Sequence, residues 1–249
     1  MSDNKMPLPS VTLKEPFIYD YPTREAYKTL RTNIMFCGSD KKVLAFTSCI
    51  PDEGKSTVTM GLARALAEVG KKVLLIDADM RRSTLFARYG ERGRCAGLSQ
   101  VLSGQTPVNE AIFATQYTGF HIMFCGYYPP NPVELLDSED FRRLVAAARE
   151  AYDYVLIDTP PAGSIIDSVV VAKCCDGVIM VVANGKNTSR FARTCKQQIE
   201  RAGCPIVGAV LNMTNRRNEK YYKNSKYYRY GRGYGYGYGY GNEKRKINK

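Results

Sequence analysis

Tryptophan is absent from this chain, histidine occurs once, and no run of eighteen apolar residues exists. Without such a run, no segment is expected to cross a bilayer as a helix. The opening residues Met1-Ser2-Asp3-Asn4-Lys5 lack the apolar stretch of a secretory signal, so a cytoplasmic setting is expected. The lone His121 opens an apolar strand with no second imidazole to share a metal or a triad, and reads as structural. Eight cysteines contain no C-x-x-C spacing, and the adjacent Cys174-Cys175 is not a usable metal spacing. Cys125, Cys174 and Cys204 sit beside apolar runs, as reduced, buried thiols do.

What is present is enough hydrophobic residue, 44% of 249, for one sizeable core with tails. The net charge of +12 is concentrated at one end: residues 216–249 carry a net +9, leaving +3 for everything before them. Residues 1–22 hold four prolines and no period, and read as an extended arm. A helix is expected from a Thr23 cap, with Ala26, Tyr27, Leu30 and Ile34 on one face. Glu25, Lys28 and Arg31 recur on another face, where local ion pairs in solvent are the plain reading.

The stretch Ser48-Cys49-Ile50-Pro51-Asp52-Glu53-Gly54-Lys55-Ser56-Thr57 lies between a buried-strand run, Val43–Phe46, and a helical stripe of Val58, Leu62, Ala65, Leu66 and Val69. Strand, tight loop, Gly-Lys-Ser-Thr and helix make a phosphate-binding loop. Backbone N–H groups and the positive helix end cradle phosphates, Lys55 reaches the β- and γ-phosphates, and Ser56 meets Mg²⁺. Cys49 stands where the common pattern has glycine, and Asp52 where related loops often do. Pro51 to Thr57 are the expected nucleotide-binding residues.

Two acidic strands follow. In Val73-Leu74-Leu75-Ile76-Asp77-Ala78-Asp79, four apolar residues make a strand buried on both faces, and Asp77 and Asp79 emerge at its C-terminal end. In open parallel sheets ligands bind at that edge. Tyr154-Val155-Leu156-Ile157-Asp158 is a second such strand, its aspartate in the Walker B position for a metal, held directly or through water. A strand at His121–Cys125, a Pro-rich turn at Pro129–Pro132, a strand at Gly177–Ala183, a helix at Ser189–Arg201 and a strand at Pro205–Met213 complete the alternation. The expected fold is α/β, P-loop NTPase-like: a doubly wound, mostly parallel sheet flanked by helices, spanning 23–214. Asn212 closes the last strand on the ligand edge as a candidate for reading adenine.

Beyond Thr214 stand Tyr221, Tyr222, Tyr227, Tyr228 and Tyr230, then the Gly-Tyr repeat of Tyr234, Tyr236, Tyr238 and Tyr240. Glycine and charge exclude a packed core from 215–249, which reads as a disordered tail. Such a tail suits stacking on single-stranded nucleic acid, or presenting tyrosines as phosphate acceptors.

Together, "SCIPDEGKST", "VLLIDADMRR", "YVLIDTPP" and the closing tyrosine cluster resemble the bacterial protein-tyrosine kinases. The closer resemblance is to the cytosolic chain of the two-chain kinases that control capsular or exopolysaccharide synthesis in Gram-positive bacteria. "EAYKTLRTNI" and "PPNPVELL" extend it, so that it covers the chain from about Glu25 to the end. The resemblance implies ATP and Mg²⁺, with Lys55 on the transferred phosphate and Ser56 on the metal. It implies Asp77 as base for a tyrosine hydroxyl, Asp79 and Asp158 organising the metal, and the nine tail tyrosines as autophosphorylation sites. It further implies a homo-oligomeric ring touching through Glu25, Lys28 and Arg31, with Lys28 replacing the family's middle arginine. Implied partners are a membrane-spanning activator with a cytosolic docking segment and a cognate tyrosine phosphatase, with nucleic acid not expected.

Two other readings share parts of the sequence. Septum-placing and chromosome-partitioning ATPases share the fold and the acidic strands, but carry a signature lysine where this chain has Ile50. A nucleic-acid binder using ATP as a conformational ligand has only the basic aromatic tail in its favour.

Overall fold

A computed structural model describes residues 8–14, 20–90, 96–201 and 203–214. The nine tail tyrosines and the expected disorder of 215–249 lie outside the described residues. Residues up to Met213 form one unit; of the second, Thr214–Lys249, only Thr214 is described.

Apolar runs without alternation have become strands covered on both faces. In chain order the elements are β1 Ser10–Val11, α1 Tyr21–Phe36, β2 Val43–Ser48, α2 Lys55–Ala67, β3 Val73–Asp77, α3 Leu85–Tyr89, α4 Leu98–Leu102 and α5 Val108–Ala111. They continue with β4 Phe113–Thr115, β5 Phe120–Met123, α6 Pro132–Leu136, α7 Glu139–Ala151, β6 Tyr154–Asp158, α8 Asp167–Ala172, β7 Gly177–Ala183, α9 Ser189–Arg201 and β8 Ile206–Asn212. One sheet runs β1-β4-β5-β3-β6-β2-β7-β8, parallel except for the antiparallel β4–β5 pair. This is the doubly wound, mostly parallel sheet that the alternation implies.

Successive strand residues divide between two cores because their side chains alternate faces. Val43, Leu74, Ile76, Ile157 and Met180 pack with Phe141 and Leu144 of α7, Val171 of α8 and Ile199 of α9. Leu44, Phe46, Leu75, Leu156 and Ile179 pack on the other side with Ile34 of α1 and Leu62 and Leu66 of α2. No described helix is long and apolar enough to cross a membrane. All seven described cysteines are free thiols.

The structure departs from the sequence reading in places. Helix α1 starts at Tyr21, not after Thr23, because Pro22 suits the first turn and Asp20 supplies the cap. Asp20 Oδ1 accepts from the Thr23 amide at 2.9 Å, so Thr23 donates where it was expected to cap. Within the expected arm, Ser10–Val11 pairs parallel with β4 and becomes one edge of the sheet. His121 is structural as expected: Nδ1 lies 2.8 Å from the Tyr152 hydroxyl. Burial, with the nearby Lys72 charge, lowers its pKa.

Helices α1 and α2 approach closely because Gly61 has no side chain. A Cβ there would come within 2.2 Å of the Tyr27 ring, whose hydroxyl donates to the Thr57 carbonyl at 3.1 Å. Gly61→Ala is therefore expected to destabilise the protein by about 1–3 kcal/mol, as overpacking does, despite alanine's better helix propensity. Urea unfolding of the two proteins tests this, and an unchanged or higher midpoint would mean that the ring simply swings aside.

Candidate nucleotide and phosphoryl-transfer site

The parallel register of β3 and β6 sets Asp77 directly beside Asp158. Strand β2 runs parallel next to β6 and delivers the phosphate loop to the same edge. Three carboxylates from two strands thus meet one lysine from the loop. Asp77, Asp79 and Asp158 are all buried. Lys55 Nζ lies 3.2 Å from Asp79 Oδ2, 3.9 Å from Asp158 Oδ1 and 3.5 Å from Ser56 Oγ.

Burying three carboxylates around a single cation leaves negative charge uncompensated, and the protonation equilibria record it. Burial, then the Asp158 charge, pushes Asp77 up to about 8, against the Ser83 hydroxyl that donates to its Oδ2. Burial also raises Asp158, with Lys55 and Ser56 partly opposing. For Lys55, burial alone would lower the pKa, but the charges of Asp158 and Asp79 outweigh it and hold the ammonium protonated. Asp158 Oδ1 is buried with no hydrogen-bond partner. An orphaned carboxylate oxygen beside the Ser56 hydroxyl fits Mg²⁺, which takes few protein ligands and fills its octahedron with phosphate oxygens and water.

The phosphate loop owes its shape to a buried carboxylate. Glu53 Oε2 accepts from the amides of Cys49 at 2.7 Å and Ile50 at 3.0 Å. Its Oε1 accepts from the Ala183 amide at 2.9 Å and Asn187 Nδ2 at 2.6 Å. Of the residues expected to bind nucleotide, Glu53 thus commits its side chain to bracing the loop and has only its backbone for phosphate. Gly54 caps α2 at φ +84°, and the N–H groups from Gly54 to Thr57 begin the helix without intrahelical partners. N–H groups in that arrangement suit an anion.

The two departures from the common loop pattern have different explanations. Asp52 sits at φ +61°, the left-handed region that favours glycine, and its side chain is exposed, away from the carboxylate cluster. Among the described residues, only Asp52 and Met213 combine positive φ with a side chain, so Cys49 needs no glycine. The Cys49 thiol is fully buried, and burial with the neighbouring Cys195 pushes it up to about 12. Pro51 is exposed, and Thr57 lies half-buried near Arg88.

Asn212 reaches the loop from β8, its Nδ2 donating to the Glu53 carbonyl at 2.9 Å. Glu25 and Lys28 pair in solvent at 2.8 Å, whereas Arg31 Nη1 turns onto the last turn of α2, donating to the Ala65 carbonyl at 3.0 Å. The expected stripe is therefore divided. Sequence reasoning missed Ser83, the bracing role of Glu53, and Arg81. Arg81 makes a bidentate pair with the buried Asp167, at 2.8 and 3.1 Å. Arg81 stands two residues after Asp79 and was open to notice, but nothing in the sequence marked Asp167.

A phosphate loop opposite two acidic strands on one parallel edge defines a P-loop nucleoside-triphosphate enzyme. Residues 42–198 match the family described as AAA domain. The chain is 38% identical over 193 residues to the tyrosine-protein kinase CpsD of Streptococcus agalactiae, covering 78% of this chain and 83% of that one. It is 36% identical over 205 residues to the tyrosine-protein kinase YwqD of Bacillus subtilis, covering 82% and 84%. Among solved structures, the kinase domain of the Escherichia coli tyrosine kinase ETK superposes with a TM-score of 0.74 at 34% identity. That match covers 88% of this chain and 80% of that one. The chain belongs to the bacterial tyrosine-kinase family, and its fold and kinship imply a nucleotide ligand.

Two consequences are measurable. A carboxyl whose pKa is raised on folding contributes stability that is full below about pH 4 and is lost as pH rises through about 8. Metal-free, nucleotide-free Asp77→Asn should therefore gain on the parent across that window, by up to about 1.4 kcal/mol per pH unit. Denaturant titrations in chelator at several pH values read this; a pH-independent difference would contradict the raised value. Glu53→Gln turns a donor toward amides that need an acceptor, and should cost about 2–4 kcal/mol of stability. Nucleotide affinity should fall with it, as read by calorimetric titration.

Proposed function

We propose that this enzyme is an ATP-dependent protein-tyrosine autokinase whose acceptors are its own tail tyrosines, Tyr221 to Tyr240. The observation that carries this reading is the meeting of Lys55 with Asp77, Asp79 and Asp158 at the mouth of the phosphate loop. Phosphoryl transfer asks a protein for positioning and charge compensation, and both are provided for here.

In the proposed reaction the loop amides and Lys55 hold the triphosphate, with Asn212 at the adenosine end. A tyrosine hydroxyl gives its proton to Asp77 and its oxygen bonds to the γ-phosphorus. The bond from that phosphorus to the β–γ bridging oxygen breaks, and ADP leaves. Ser56, Asp79 and Asp158 would hold Mg²⁺, whose charge offsets the carboxylates and favours the ionised, proton-accepting form of Asp77.

The resemblance extends the proposal to context. The kinase domain, up to 214, takes in the edge strand at Ser10–Val11 and the helix from Tyr21, and 215–249 act as a substrate tail reached in trans within a ring. Glu25 and Lys28, paired with each other in solvent, can be reached by a neighbour in such a ring, and Arg31 would have to leave Ala65 to join them. Phosphorylated tails would repel one another and loosen the ring. A membrane-spanning activator recruits the kinase to the inner face of the plasma membrane, and a cognate phosphatase resets it. The output is control of capsular or extracellular polysaccharide synthesis and export. Against a partitioning-type ATPase stand the kinase relatives and Ile50 in place of the signature lysine.

Intact mass after incubation with Mg-ATP tests the proposal, with and without the activator's cytosolic segment and beside Lys55→Met. Phosphate additions mapping to Tyr221–Tyr240 and absent from Lys55→Met are expected. Steady ATP hydrolysis with no mass change, activator present, would return the chain to the ATPase reading.

A further inference from the structure

Strand β5 lies parallel to β3, with Met123 opposite Ile76, so the chain beyond Met123 emerges at the edge that carries Asp77. Phe124 and Cys125 stay buried, Gly126 turns the backbone at φ +81°, and the next two side chains are aromatic rings in solvent. Tyr127 is 53% exposed and Tyr128 60%. Tyr128 is tied to the catalytic edge. Its hydroxyl donates to the Ser83 carbonyl at 3.0 Å, and the Ser83 hydroxyl in turn donates to Asp77. The charges of Asp77 and Asp79 are close enough to help raise the Tyr128 pKa, after burial and Cys125. Two adjacent exposed rings thus stand at the edge that carries a buried carboxylate, one of them bonded to the residue that holds it.

From this juxtaposition we infer that Tyr127 and Tyr128 form an acceptor-side platform. It selects a tyrosine flanked by aromatic residues two positions away, as in the chain's own Gly-Tyr run at 233–240. The inference rests on the tyrosine-kinase reading and adds the selectivity of its acceptor site. In an extended segment, residues i and i±2 point to the same side, about 6.6–6.8 Å apart. A tyrosine aimed down at Asp77 therefore carries its i±2 neighbours onto the rim, one ring's width from the acceptor. Alternating glycine and tyrosine make every acceptor in 234–240 such a residue, with glycines that add no bulk between the rings. Ring pairs favour offset or edge contacts, which two rings on a turn can supply to several registers of a repeat. The repeat is thereby a substrate that can slide, each register presenting a new hydroxyl to the same rim.

The test uses two peptides spanning 231–241, each with Tyr236 as its single acceptor. In one, Tyr234, Tyr238 and Tyr240 are replaced by Phe, in the other by Ala. The full-length kinase with Mg-ATP and the activator segment should prefer the Phe peptide by about five-fold in kcat/KM, expressed through KM. Tyr127→Ala, which keeps the Tyr128–Ser83 bond, should reduce that ratio, and Tyr127→Ala/Tyr128→Ala should bring it to one. Tyr128→Phe, retaining the ring, should preserve it. Equal use of both peptides by the parent enzyme, or a preference that survives the double substitution, overturns the platform and leaves the kinase reading intact. If neither peptide nor the enzyme's own tail is modified, both readings fall.

Discussion

Placing Asp77 and Asp158 side by side at the ends of two parallel strands is the constraint on which the rest of the site depends. In a parallel sheet every strand leaves the same edge, so like charges collected there cannot spread out without breaking register. The protein surrounds them with the means to tolerate it: Lys55 across the cluster, Ser83 on Asp77, and the Arg82 amide donating to Asp79. What remains uncompensated is a standing demand for cations. In the proposed reaction Mg²⁺ would answer that demand at the carboxylates while the phosphates would settle on the loop. Binding and catalytic competence thus share one electrostatic origin.

A second constraint acts at right angles to the first. Glu53 binds the phosphate loop to the end of β7 and to Asn187, while Lys186 donates to the Asp52 carbonyl. Asn212 of the next strand holds the Glu53 carbonyl. The loop is therefore fixed by the strand that precedes it and also by two strands on its far side. Its left-handed residues, Asp52 and Gly54, are held in place by these contacts.

Much of this is legible in the sequence. Uninterrupted runs such as Val73–Ile76 announce a strand covered on both faces, and an aspartate closing such a run marks the ligand edge. The strand Gly177–Ala183 and the helix Ser189–Arg201 fall where the sequence put them. The short strands β1 and β4 escaped because two or three residues cannot display a period of two. The Thr23 cap failed because Asp20 and Pro22 formed a better start one turn earlier. Glu53 was legible as part of the loop but not as its brace, since its partners lie some 130 residues away and carry no local signature. A separation of 86 residues likewise hid Asp167 behind Arg81.

The position of Cys49 adds a property that concerns measurement more than mechanism. Its thiol occupies the interior of the phosphate loop, wholly covered, and burial keeps it from ionising. A thiolate-seeking reagent meets it only when the loop lifts away from β7 and the helix that carries Cys195. The chain thus holds a built-in clock for the opening of its own nucleotide site. Its rate of alkylation counts those openings, and a ligand that closes the loop slows the count.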